Sequence, residues 1–301
     1  MLKDDDIVLM DGIPTFYPYN PKNKIISADK INHLLKKYGI HESITTMDLY
    51  TRAFTHSSYC KRPFDPSVVM KDMPDFPIRD ISNERLEFLG DGILECVTKY
   101  YLYRRFPREN EGFMTEKKIS LVKNEAIGKL SNDIGFSEWY VLSKYAEDKN
   151  TRTNLKKLGC LFEAFIGALF LDFKEKGYDT ASTFIIHVLE QHIDWTELLL
   201  CDDNYKNILQ VKLQKEFKVT PEYIEINHGT EYHMGVYLCI GQPIWKVPLK
   251  DAIPFSSFGS FESIHAYVRK HKHVLVHLGE GRHKIKKKSE QLACENALGL
   301  F

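Results

Sequence analysis

The chain has 301 residues, room for two domains, with 43% hydrophobic and 27% charged residues and 41 basic side chains against 41 acidic ones. These are the fractions of an ordinary soluble protein, and no segment reaches the roughly 18 uninterrupted apolar residues that a membrane span needs. The acidic start MLKDDDIVLMDG lacks the basic flank and apolar core of a secretory signal, so an intracellular protein, of cytoplasm or nucleus, is expected.

In chain order, a Pro/Tyr-rich piece, PTFYPYNPKN, precedes a predicted helix from Ser27 to Tyr38, in which Ile31, Leu34 and Leu35 have helical spacing. The proline-bearing stretch from Lys61 to Arg79 reads as a connector. NERLEFLGD, from Asn83 to Asp91, then sets Glu84, Glu87 and Asp91 at i, i+3 and i+7. At about 100° per residue the three acids fall within roughly 60° of one another, and Leu86, Leu89, Ile93 and Val97 take the opposite side. Such a stripe either meets water or holds a cation.

GCLFEAFIGALFL, from Gly159 to Leu171, is helix-compatible and apolar all round, with Glu163 as its one charged residue. A buried carboxylate costs several kcal/mol unless it is paired, protonated or bound to a metal. Acids brought by two helices to one point resemble the carboxylate cages of divalent cations, and oxygen-only ligands favour Mg²⁺ or Mn²⁺ over zinc. Beyond it, TASTFIIHVLEQHI predicts a largely helical link with a short hinge near Cys201 to Asn204.

The last hundred residues carry the charge asymmetry. From Arg269 to Lys288 there are eight cations against the single acid Glu280, the footprint of a polyanion site or of a solvated surface. His271, His273 and His277 would share one face of a strand beside the basic residues, as polyanion-facing or solvated side chains in preference to metal ligands. The stretch from Gly241 to Lys272 holds Trp245, Phe255, Phe258, Phe261 and Tyr267, too aromatic for a disordered loop, so it is expected to fold as an added element. The six cysteines form no CxxC pair and are expected to be reduced.

NERLEFLGD followed by FEAFIGALFLD resembles the ribonuclease III family, endonucleases that cut double-stranded RNA. AFTHSSY (53–59) is similar to the family's early THxSY helix, EGFMT (111–115) to a turn, and LVKNEAIGKLSNDIGF (121–136) to the helix pair between the acidic motifs. NYKNILQVKLQKEF, PEYIEI and LGEGRHKIKKKSEQLACENAL resemble, in order, the first helix, first strand and second helix of a double-stranded RNA-binding domain.

The resemblance implies an α+β multidomain protein. Its parts would be an N-terminal extension (1–44), an all-α catalytic domain (45–175), a helical linker (176–203), and an α-β-β-β-α RNA-binding domain (204–301) with an insertion at 241–272. It further implies a homodimer joined through the helix of the first motif, with Phe88 as an exposed intersubunit plug, and products with 5′-phosphate and staggered 3′ ends. Glu87, Asp91 and Glu163 would be metal ligands, for Mg²⁺ with Mn²⁺ as a substitute, and Glu84 a supporting catalytic acid with Glu111 in the same outer set. Gln210, His233, Lys284, Lys286 and Lys287 would contact RNA, His233 from near a loop in which Thr230 replaces the usual proline. One position departs: Cys160 stands where the family usually has an aspartate, which implies weaker metal affinity or a preference for Mn²⁺.

Overall fold

The computed structural model describes residues 6–61, 66–71, 73, 76–200 and 204–301, and divides into two compact units, Met1–Leu199 and Leu200–Phe301. Cys201, Asp202 and Asp203 of the expected hinge, and part of the Lys61–Arg79 connector, lie outside the described residues.

In the first unit a hairpin, β1 (Ile7–Met10) and β2 (Ile13–Phe16), turns at Asp11-Gly12, both with positive φ. Asp-Gly between apolar runs is what a two-residue hairpin turn of this kind demands. Helix α1 (Ala28–Lys37) lies within the expected span, with Ser27 as its N-cap and Tyr38 as its C-cap. After α2 (Met47–Ala53), AFTHSSY supplies only a 3-10 turn at Ser57–Tyr59, because Thr55 pairs with Val141 as an isolated bridge and draws the chain out of helix. Strand β3 (Val69–Met70) joins β2, so the unit is helical but not all-α.

The acidic motif opens α3 (Glu84–Arg105). EGFMT is no turn; it forms the first turns of α4 (Glu111–Val122), capped by Asn110, whose side chain accepts from the Phe113 N–H. Then come α5 (Asn124–Asp133), α6 (Lys144–Asp148), α7 (Leu155–Asp172), α8 (Gly177–His192) and α9 (Trp195–Leu200). Helix α7 is the hub: Leu161, Ala164, Phe165, Ile166 and Ala168 are fully buried among α2, α3, α5 and α8.

Two expected boundaries move. Helix α8 is no linker, since Phe184, Ile185 and Val188 are wholly buried in the same core as α7. The N-terminal segment is equally integral: Tyr38 meets Phe184 edge-on at 5.4 Å and its hydroxyl lies 2.8 Å from His192 Nε2.

The second unit runs α10 (Tyr205–Phe217), β4 (Glu222–His228), β5 (Tyr232–Ile240), β6 (Ile253–Pro254), α11 (Phe261–His271), β7 (Val274–His283) and α12 (Lys286–Leu298). Its sheet has the order β4-β5-β7-β6, antiparallel except for β6 beside β7. Leu209, Leu213, Val236, Leu238, Val276 and Ala293 form a separate core. The 241–272 stretch folds as an added element, with Phe255 and Ile264 in that core.

The basic run does not stay together. Strands β5 and β7 pair with Tyr232 opposite His283 at one end and Ile240 opposite Val274 at the other. Arg269, Lys270 and Lys272 therefore precede β7, whereas Arg282, Lys284 and Lys286 to Lys288 lie at or beyond its far end. Likewise His271 ends α11 and His273 sits before β7, so only His277 is on the strand, against the Tyr237 ring at 5.2 Å.

Candidate functional site

Helices α3 and α7 cross with their backbones in contact. A methyl group on Gly90 would come within 1.8 Å of the Glu163 carbonyl oxygen, and one on Gly167 within 2.3 Å of that of Leu86. Only glycine permits this approach, and it sets the side chains flanking the crossing against each other. Ligand atoms of Glu87, Cys160 and Glu163 lie within 4.8 Å of one another, the only such group of metal-ligating side chains among the described residues.

Glu163 is 6% exposed and makes no ion pair with a described Lys or Arg. Burial first, then the charges of Asp91 and Glu87, push its carboxyl up to about 8. Asp91, on the exposed side of α3 one turn beyond Glu87, is thus close enough to act on Glu163, though it stands outside the tight group. Cys160 is pushed up to about 12 by burial and by the Glu87 and Glu163 carboxylates, so its thiol is neutral. Three carboxyl groups with no ion-pair partner among the described residues fit a hard divalent ion, and the neutral thiol is the one member of the cluster that does not.

Glu84 lies at the exposed start of α3, where Ser82 Oγ donates to its Oε2 at 3.1 Å. It lines a polar cleft of about 670 Å³ with His56, Ser57, Lys61, Asp80 and Lys149. His56 there is held down to about 4 by burial and by Lys157 against the opposing pull of Glu84, and its Nδ1 accepts from the Ser58 N–H. Glu111 lies elsewhere, in a cleft with Tyr100, Tyr103 and Lys118, where Thr115 Oγ1 donates to it at 3.0 Å.

The last acid of the second motif, Asp172, is structural. It accepts from the Thr45 N–H (3.0 Å), Thr45 Oγ1 (2.6 Å) and the Tyr50 hydroxyl (3.0 Å). Burial pushes its carboxyl up, but these donors prevail and hold it below its ordinary value.

In the second unit Gln210 is exposed on α10, Lys284 is exposed just before α12, and Lys286 and Lys287 are exposed in its first turn. Lys286 lies 4.0 Å from Glu225. The β4–β5 loop, Gly229 to Glu231, lies at the same end of the sheet. His233 does not protrude from that loop. It belongs to β5, is 8% exposed and faces Glu280 at 3.2 Å, because strand pairing with Arg282 turns it inward. The exposed side chain next to the loop is Tyr232.

Ser289, wholly buried, accepts from the Met234 N–H, and its hydroxyl lies 2.9 Å from the Tyr232 carbonyl and 2.7 Å from that of Gly281. It pins the lysine-bearing start of α12 beside the loop. Sequence reasoning missed Gly90, Gly167 and Ser289; the glycines interrupt two apolar helical runs, a signal of close packing.

A family model described as ribonuclease-III-like matches residues 46–193. Ribonuclease 3 of Aliarcobacter butzleri is 34% identical over 186 residues, 62% of this chain and 74% of that protein. Ribonuclease 3 of Enterococcus faecalis is 35% identical over 212 residues, 68% of this chain and 84% of that protein. The nuclease domain of ribonuclease III from Campylobacter jejuni is a solved structure similar to this one, with a TM-score of 0.44 and 24% identity over 56% of this chain and 98% of that one. With relatives matched at this identity over most of their own length, the chain belongs to the ribonuclease III family.

Proposed function

We propose that the chain is an endoribonuclease that hydrolyses phosphodiester bonds in double-stranded RNA with the help of a divalent cation, Mg²⁺ or Mn²⁺, leaving 5′-phosphates and staggered 3′-hydroxyl ends. The observation that carries this reading is Glu163: a buried carboxylate without a cationic partner among the described residues, facing Glu87 and Asp91 from a second helix. These three side chains would hold the cation. When bound, such an ion offsets charge on the phosphate oxygens and acidifies the attacking water. Because Glu163 is protonated near neutral pH when no cation is present, loading the site releases a proton, and affinity rises with pH. Glu84, which lines the polar cleft, would orient RNA or water and not hold the ion.

The second unit is read as a double-stranded RNA-binding domain interrupted by residues 241–272. Its α-β-β-β-α order supports this, as do the exposed Lys284, Lys286 and Lys287 beside the β4–β5 loop, with Gln210 on α10. Recognition of this kind depends on A-form shape and 2′-hydroxyls, with little sequence readout. A homodimer through α3 suits Phe88, which is 85% exposed beside Glu87.

Purified protein should cut labelled duplex RNA with Mg²⁺ and not with EDTA, and Glu163→Gln should lower the rate at least about 100-fold. Undiminished cutting by that variant would sink the mechanism. Cys160 favours a second reading, a duplex-binding protein of weakened or lost chemistry. Duplex binding without cutting at any Mg²⁺ or Mn²⁺ concentration would select it.

A further inference from the structure

Residues 241–272 leave the sheet at the Ile240–Val274 end, the end opposite Lys284, Lys286 and Lys287. Helix α11 is fixed there by its inner face: Ile264 is fully buried, His265 Nε2 lies 2.9 Å from Glu216 Oε1, and Phe261 meets Phe217 edge-on at 5.3 Å. Another face carries Ser263, Ala266, Tyr267, Lys270 and His271 at i, i+3, i+4, i+7 and i+8, and with Phe258 these line an open cleft of about 580 Å³, Tyr267 and Phe258 being half-buried with one side against the core.

Inside the cleft the Tyr267 and His271 rings are stacked, with centroids 4.2 Å apart and planes at 26°, and Phe258 meets Tyr267 edge-on at 5.4 Å. Lys270 lines the cleft, Arg269 and Lys272 are exposed in the same stretch of chain, and none of the three has a carboxylate partner among the described residues. No Asp or Glu occurs from Ser263 to Gly279. Cations at the end of a helix also complement its dipole, a need that one or two charges meet. The dipole does not account for the aromatic cleft, whereas Lys272 in the left-handed region at φ 70° is the ordinary C-cap of α11.

We propose that this cleft is a second RNA site, which stacks an unpaired base on the Tyr267–His271 pair while Lys270 holds an adjoining phosphate. Aromatic faces interleaved with cations are the chemistry of single-strand binding, and every base has a face to offer. In a duplex those faces are covered by neighbouring pairs. The ligand is therefore a loop, bulge or overhang adjoining the duplex. This inference rests on the reading of the chain as an RNA-processing protein.

The test measures binding of the full chain in EDTA, where no cutting occurs, to three RNAs: a blunt duplex, the same duplex with a single-stranded 3′ extension, and the extension strand alone. The extension should tighten binding at least about fivefold. Lys270→Ala, on an exposed turn, should reduce that gain and leave blunt-duplex affinity unchanged, and Tyr267→Leu should abolish it. Lys286→Ala with Lys287→Ala should do the reverse, weakening the blunt duplex while the gain survives. The proposal is overturned if the extension adds nothing, or if the α11 variants weaken all three RNAs by one factor. Variants that change no RNA affinity would point to a protein partner for this face and equally overturn it. Failure to bind the blunt duplex would count against the proposed function instead.

Discussion

Glu163 makes the stability of the metal-free protein depend on pH. Its carboxyl is raised to about 8, above its unfolded value, so the folded state binds more protons than the unfolded one between the two. The contribution is fully present below about pH 4 and is lost as pH rises through about 8. In EDTA, Glu163→Gln should therefore unfold at a higher temperature than the parent at pH 8.5, by on the order of 2 kcal/mol, and the difference should vanish near pH 4.5. Thermal melts at the two pH values check this, and a constant difference refutes it. Cys160→Asp adds a hard ligand to the same cluster and should lower the Mg²⁺ concentration for half-maximal cutting several-fold, as a metal titration of rate reads out. Glu163 was legible in the sequence because a lone charge in an apolar helix demands a partner. His233 was not, because a one-residue uncertainty in where a strand begins moves a side chain from the loop into the sheet.

The α3–α7 crossing converts two sequence-distant motifs into one site, and its tolerance is small. Gly90→Ala puts a methyl where the Glu163 carbonyl stands, so the helices must part. We expect a loss of about 1–3 kcal/mol in urea unfolding, together with weaker metal binding. Asp172→Asn should also destabilise, by about 1–3 kcal/mol, while leaving the Mg²⁺ dependence of cutting unchanged, because it ties Thr45 and Tyr50 to α7 away from the cluster. Its carboxyl lies below its ordinary value, so that tie is present above about pH 4 and weakens as pH falls through the folded value. Long periodic helices such as α1, α3 and α7 were readable from apolar spacing. The β1–β2 hairpin was carried by an Asp-Gly signal easily passed over in an acidic start, and α8 read as a linker because amphipathic spacing does not name the core that receives it.

Across the molecule, balanced formal charge conceals local fields, and the exposed Phe88 gives the catalytic unit an apolar projection. In the proposed homodimer, Phe88→Asp should leave a monomer on a sizing column without unfolding it, since the side chain contributes little to the core. Lys286→Ala with Lys287→Ala should flatten the dependence of duplex affinity on salt, one unit of slope for each phosphate contact removed. The division into two units was readable from the change of motif, but the separation of the basic run into two clusters was not, because proximity in sequence hides which end of a strand a residue occupies. Strand β7 has ten residues and spans about 33 Å at the usual rise, with one cationic cluster before it and the other at its far end. A paired strand does not stretch, so with RNA held at both ends, as proposed, the sheet would act as a ruler. RNAs would be sorted by how far their unpaired nucleotides lie from the helix they flank, a length measured by protein and not a sequence read from bases.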